Sequence, residues 1–433
     1  MPTDRPRVAA IITQYRPRSH ADVIVSKLLA DYTHPAPRPP VQLDYHDTAR
    51  QLAELPLPLD EHGRLKSPRV EVVSMYTDQV PKNDLSREWA ERSGVPIYPT
   101  IREALTLGGG ALAVDGVIVI GEHGDYPTNA RGQKEYPRRR LFEGALEVMR
   151  ESDRFVPAFN DKHLAYAWAD AKWMYDAARE HGIPFGAGSS ISVCPVGWRY
   201  PAYEVPLGSR IEEAFTLGHG GLESYGFHTL EVLQCQVERR VGGETGVAAV
   251  QALSGQAVWD AADAGRWDPA LLDACLGTLD KPFTGDIRQT ADPVLYLIEY
   301  RDGLHASCAM LKNVSSNWIF AARLTPAPAP APYASTTVRV AAAVGTPAAP
   351  TASVAPASEI VATRFRAYHS EPFGHFAWLC EEIQDLICER REPHPVERTL
   401  LTTGILDRLM ESLSLGGLRL ETPELDVRYT VTA

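Results

Sequence analysis

The chain has 433 residues, 44% of them hydrophobic and 23% charged, with 43 basic against 55 acidic side chains and a net charge of −12. That length supports a large core and points to two domains. The acidic balance, with no long block of like charge, argues against nucleic acid or an anionic membrane as partner. No apolar run is long enough to span a bilayer. The start M-P-T-D-R-P-R-V shows no signal peptide. Cys194, Cys235, Cys275, Cys308, Cys380 and Cys388 form no C-x-x-C pair, so reduced, mostly buried thiols and a cytoplasmic location are expected. Cys194 beside Ser189-Ser190 has a catalytic option, with packing the plainer reading.

In chain order, Arg7 to Thr13 reads as a buried strand, Gln14 to His20 as a polar turn and Ala21 to Leu29 as a helix. Residues 33–65, rich in Pro, His and Asp, read as an irregular insertion. Val70 to Met75 is a second strand ending near Asp78, Leu85 to Ser93 a helix, Gly94 to Tyr98 a short strand and Ile101 to Leu107 a short helix. Val117-Ile118-Val119-Ile120 is an unbroken, β-branched apolar run, the pattern of a strand buried on both faces of a parallel sheet. Helix is expected over Tyr136 to Glu151, strand over Phe155 to Phe159, helix over Ala165 to Glu180 and strand over Ile183 to Gly186. This alternation predicts an α/β fold with a doubly wound, Rossmann-like parallel sheet over residues 1–192.

The rhythm changes over residues 193–433, which read as an α+β domain with an open, mainly antiparallel sheet. Leu230 to Glu238 reads as a helix. Val294 to Tyr300, His305 to Leu311 and Trp318 to Leu324 read as antiparallel strands, with Asp302-Gly303 a hairpin turn. Residues 324–358, dominated by Ala and Pro, read as an extended excursion. Helices over 375–413 end at Gly416-Gly417 and are expected to pack back on the first domain.

Polar residues follow the Val117–Ile120 strand: Gly121, Glu122, His123, Gly124, Asp125 and Tyr126. Ligands in open α/β sheets bind beyond the carboxyl ends of strands, so these side chains are site candidates. Asp125 has the alternative of capping the next segment or orienting a histidine. Arg138-Arg139-Arg140 reads most simply as the solvated start of a helix, with acid recognition as the sharper option. Trp168, Trp173 and Tyr175 read as packing, and Tyr126 and Tyr166 as packing or proton donors.

Several stretches together resemble the Gfo/Idh/MocA family of glucose–fructose oxidoreductase and inositol dehydrogenase. They are Gly94 to Leu105, Val114 to Ile120, Asn160-Asp161-Lys162-His163 in the place of the family's E-K-P, and Gly220-Gly221-Leu222-Glu223-Ser224-Tyr225-Gly226-Phe227-His228 in the place of G-G-x-x-x-D-x-G-x-H. The resemblance implies a Rossmann domain followed by an α+β domain. It also implies hydride transfer between NAD(P) and a sugar or polyol hydroxyl, and a tendency to form homo-oligomers. Lys162 then matches the catalytic or substrate-positioning lysine and His228 the catalytic histidine, with Asp161 and Tyr225 beside them. The partnering aspartate position holds Ser224, with Glu223 one residue away.

The turn after the first strand departs from that pattern. Gln14-Tyr15-Arg16-Pro17-Arg18-Ser19-His20 contains no glycine, whereas Gly-rich turns let backbone approach a pyrophosphate. Arg16, Arg18 and Ser19, with Asp78 at the second strand's end, are the candidate cofactor contacts. On this reading NAD(P) is doubtful. The loops at 121–126, 160–163 and 219–228 bring imidazoles and carboxylates together, as a Zn, Mn or Fe site requires. Glu122, His123, His163, Glu223 and His228 are the candidate ligands, with His219 weaker; solvated or backbone-bonded histidines are the plainer alternative. The sequence therefore predicts an enzyme doing non-redox, metal-assisted hydrolysis, elimination or isomerisation on a small polar or sugar-derived substrate at the interdomain cleft. The alternatives are an NAD(P)-dependent sugar or polyol oxidoreductase and a non-catalytic binding protein.

Overall fold

The structure, a computed structural model, describes residues 5–34, 57–325, 358–367 and 372–432. The first half alternates strand and helix: β1 (Arg7–Ile12), α1 (His20–Leu29), β2 (Glu71–Thr77), α2 (Ser86–Ser93), β3 (Ile97–Tyr98), α3 (Ile101–Thr106), β4 (Gly116–Ile120), α4 (Arg138–Glu151), β5 (Ala158–Asp161), α5 (Trp168–Glu180) and β6 (Phe185–Gly188). The strands form one parallel sheet in the order β3-β2-β1-β4-β5-β6, the doubly wound arrangement expected. The apolar run explains β4 directly. Val117 and Val119 join the core under α3, α4 and α5, while Ile118 and Ile120 join the core under α1. Successive strand residues face opposite ways, so both sets are buried and no polar residue is tolerated between them. β5 begins three residues later than Phe155, the expected start, and runs on to Asp161, placing Asp161 and Lys162 at the very end of the strand.

The second half holds β7 (Arg199–Tyr200), β8 (Arg210–Gly218), α6 (Ser224–Val237), β9 (Val247–Ser254), α7 (Gln256–Asp263), α8 (Pro269–Leu276), β10 (Val294–Tyr300), β11 (His305–Met310), β12 (Trp318–Thr325), β13 (Glu359–Phe365), α9 (Gly374–Glu389), α10 (Glu397–Ser414) and β14 (Leu420–Glu421). Their sheet runs β14-β9-β10-β11-β8-β12-β13-β7. It is antiparallel except where β8 lies parallel to β11. β10 and β11 pair antiparallel as the hairpin expected around Asp302-Gly303, while β8 enters between β11 and β12.

One face of this sheet packs on α6 and α10. On the other, Phe215, Leu217, Leu295, Leu297, Ile319 and Ala321 are buried against Val258, Trp259, Trp267, Leu271 and Leu272 of the α7–α8 region. The helix expected from Leu230 starts at Ser224, so His228 lies on a helix and not in a loop. α9 returns to the first sheet: Phe376, Leu379, Ile383 and Ile387 share a core with α1 and β1. Of the Ala/Pro-rich excursion, Leu324 and Thr325 belong to β12, and residues 326–357 lie outside the described residues. Most of the 33–65 insertion does too. Among the described residues no helix is long and apolar enough to cross a membrane.

Candidate active site

Strand order reverses between β1 and β4, and the crevice beyond their carboxyl ends is where such sheets bind ligands. A cavity of about 520 Å³ opens there, lined by Arg18, His20, Glu122, His123, Lys134, Lys162, Glu223, Tyr225, His228, Trp318 and Phe376, among others. The starts of α1, α6 and α9 all reach it. Arg18, His123, Lys162 and Phe373 adopt left-handed backbone with φ of 62°, 69°, 65° and 49°, and all four line the cavity. Each such non-glycine residue stores on the order of 1–3 kcal/mol, and that strain persists where surrounding packing enforces it.

A buried ionic chain holds the floor. Lys162 Nζ donates to Glu122 Oε1 at 2.9 Å and to the Ser224 carbonyl at 3.2 Å. The other Glu122 oxygen accepts from Arg138. Arg138 in turn donates to His163 Nε2 at 3.2 Å, and Glu223 Oε2 accepts the Lys134 backbone N–H at 3.0 Å. Burial alone would raise the Glu122 carboxyl. The Lys162 and Arg138 charges outweigh it and hold the group well below the usual carboxylate range. Burial pushes the His123 imidazole down to about 3 and that of His163 to about 4, the latter helped by Arg138. Both rings are therefore neutral at physiological pH.

Arg138 is fully buried, which corrects the expectation of a solvated arginine run. Only Arg139 and Arg140 fit that picture, through Asp170 and Asp78. Gly121 makes room for Arg138: a Cβ there would lie 2.5 Å from Arg138 Cγ.

The opposite wall is aromatic. Tyr225 stacks on Trp318 at 5.6 Å between ring centroids, and His228 meets Trp318 edge-on at 5.2 Å. His228 Nδ1 sits 2.7 Å from Ser189 Oγ. Burial, then the nearby Lys162 charge, keeps this imidazole well below its ordinary range. Asp161 lies behind the cavity, its Oδ2 2.6 Å from His20 Nδ1. His219 belongs to the same wall, against Tyr225 and Trp318. Sequence reasoning missed His20, Trp318, Phe376 and the Ser189 contact. The Ser19-His20 pair just before an apolar helix was the one local signal, since Ser19 caps α1.

The β1–α1 turn satisfies its own backbone. Ser19 Oγ accepts from the Arg16 and Asp22 N–H groups, and Asp22 Oδ2 accepts from the Arg18 N–H at 2.8 Å. The donors a Gly-rich turn would offer are occupied by side chains. Among the described residues no carboxylate lies within ion-pair distance of Arg16. Asp78 is engaged by Tyr76, Tyr126 and Arg140, and lies outside the cavity lining. Cys194 is buried, its thiol pushed up by desolvation, and it too lies outside the lining.

No protein-family model and no curated protein matches the chain in sequence. Solved structures match it in fold. GenD2 from gentamicin A biosynthesis, solved in complex with NAD, aligns with a TM-score of 0.51 and 12% identity over 97% of each chain. Apo scyllo-inositol dehydrogenase from Lactobacillus casei aligns at 0.50 and 12%, over 97% of this chain and 99% of that one. An NAD-binding oxidoreductase from Klebsiella pneumoniae aligns at 0.50 and 11%, over 96% and 98%. The fold is thus that of the dehydrogenases the sequence resembles.

These neighbours correct the non-redox, metal-assisted reading and the doubt over NAD(P), since the proteins sharing this fold are dehydrogenases, one of them solved with NAD. The side-chain geometry gives the physical reason on the metal side. Among the described residues no three His, Cys, Asp or Glu groups converge as ligands. Glu122 is committed to Lys162 and Arg138, and the His163 Nε2 lone pair to Arg138.

A dinucleotide fits the chain's own groups in a modified way. The switch point and α1 N-terminus are in place, and His123, which lines the cavity, has its Nδ1 buried without a hydrogen-bond partner, as at a polar ligand's edge. Diphosphate charge would meet the Arg16 and Arg18 side chains in place of backbone N–H groups.

Proposed function

We propose that the chain is an NAD(P)-dependent oxidoreductase acting on a carbinol or carbonyl carbon of a small polar substrate of the sugar or polyol type. The observation carrying this reading is Lys162. It sits at the carboxyl end of β5 in a strained left-handed conformation, and its amine is fixed between Glu122 and the start of the helix bearing His228. Chemistry is argued from the site and not from fold, and this pair supplies what such chemistry needs. A cation and an imidazole meet one substrate oxygen, and an aromatic wall of Tyr225 and Trp318 faces the substrate's C–H surface.

When bound, NAD(P) supplies the hydride acceptor or donor. Arg16, Arg18 and the α1 N-terminus would hold its diphosphate. Lys162 and His228 orient the substrate oxygen and carry its proton, and Glu122 keeps the Lys162 amine in place. Phe376 and His375 of α9 line the cavity beside them. The reduced cysteines agree with a cytoplasmic enzyme. The test is direct binding: NADH or NADPH should quench tryptophan fluorescence or raise the melting temperature at micromolar to low millimolar concentration. No effect of either cofactor at millimolar concentration ends this reading.

A further inference from the structure

The proton inventory of the cavity carries a conclusion about which form of the substrate the resting site accepts. Ser189 Oγ accepts the Ile191 N–H at 3.1 Å and lies 2.7 Å from His228 Nδ1. A hydroxyl has one proton to give. Among the described residues, the only acceptor within reach of this one is His228 Nδ1. Giving it there fixes the imidazole tautomer, because the neutral ring then carries its own proton on Nε2.

Nε2 is the nitrogen left for the cavity, and it makes no hydrogen bond among the described residues. Among the described residues no carboxylate lies within ion-pair distance of this ring. The position that the family pattern fills with aspartate holds Ser224, and the neighbouring Glu223 is turned to Lys134 and His163. Lys162 lies beside it as a donor in an ion pair with Glu122. Its second bond goes to the Ser224 carbonyl, one helical turn before His228, and one N–H remains.

We propose that His228 faces the cavity as a neutral Nε2–H donor, and that with the Lys162 ammonium it forms a two-donor seat matched to the carbonyl form of the substrate. This rests on the oxidoreductase reading above and sharpens it. The low proton affinity of the buried ring agrees with the assignment. Two donors converging on one oxygen stabilise it as it gains electron density. In the reaction the carbonyl π bond breaks, carbon gains a hydride from reduced nicotinamide, and oxygen gains a proton from Lys162 Nζ, which water then replaces. An alcohol whose oxygen enters this seat meets two donors, and neither the Lys162 ammonium nor the His228 Nε2–H can accept its proton.

The experiment is ¹⁵N NMR of the full-length protein labelled at histidine, without cofactor. His228 should show an unprotonated Nδ1 and a protonated Nε2. The assignment comes from Ser189→Ala, which should move this ring's signals alone, and from His228→Asn if it folds. Acetate, as a probe of electron-rich oxygen, should shift the Nε2 signal, with glycerol at equal concentration doing so less. Lys162→Met should weaken acetate about tenfold, the loss of one charge-assisted bond.

A protonated Nδ1, or glycerol acting more strongly than acetate, overturns the proposal. A cofactor-binding measurement on the same sample separates the two claims. Absent NADH and NADPH binding with the expected tautomer removes the oxidoreductase and keeps the donor seat. Cofactor binding with the opposite tautomer does the reverse.

Discussion

The two ends of the cavity are built on opposite principles. At the β4–β5 end, Glu122, Arg138, Lys162 and His163 are buried and already paired to one another. At the β1–α1 end, Arg16 and Arg18 reach toward solvent from a turn whose backbone is internally satisfied. A buried pair costs several kcal/mol in desolvation, and removing one partner leaves the other uncompensated. An exposed arginine can be removed with little effect on folding. Precision and stability are therefore tied together at one end and separable at the other.

That contrast can be broken most decisively at Arg138. Replacing it with leucine leaves Glu122 short of a partner and should cost about 3–5 kcal/mol by urea denaturation. A loss under about 1 kcal/mol would show that the ionic chain is not structural. Lys162→Met should lower turnover at least about 10²-fold, close to 3 kcal/mol of barrier, while leaving cofactor binding nearly intact. Equal losses in both would make Lys162 a scaffold residue.

Acid should act on the same end. His123 and His163 titrate near 3 and 4 in the folded chain, against 6.5 for the free side chain. Their folded values are depressed, so the unfolded chain binds protons first as pH falls. Stability is complete above about pH 6.5 and declines toward pH 4, by on the order of a few kcal/mol. A melting temperature flat from pH 7 to 4.5 contradicts this. Gly121→Ala drives a methyl into Arg138 Cγ and should cost about 1–3 kcal/mol. At the other end, Arg16→Ala or Arg18→Ala should weaken NADH binding about tenfold, with stability unchanged within about 0.5 kcal/mol.

What could be read in advance follows the same division. Val117–Ile120 announced itself because burial on both faces leaves no polar residue to disguise the strand. β8 did not. Its sequence R-I-E-E-A-F-T-L-G is charged where the strand starts at the surface and apolar only where it enters the core, so no single period runs through it. Lys162 and His228, singled out through the family pattern, both line one cavity. Arg138 was misread because three consecutive arginines look solvated, and its carboxylate partner lies 16 residues earlier, in the loop that follows β4. The metal reading failed for a related reason. Composition places imidazoles and carboxylates in the same loops, but only geometry shows that their lone pairs are already taken.

The covering of the second sheet by α7 and α8 has a further consequence. Phe215, Leu217, Ile319 and Ala321 are sealed by Trp259, Trp267 and Leu271 of the same chain. Burial supplied by a partner subunit depends on mass action, and it weakens on dilution. Burial supplied from within the chain does not. This face contributes the same free energy at nanomolar as at micromolar protein, so any change of melting temperature with protein concentration must originate at another surface.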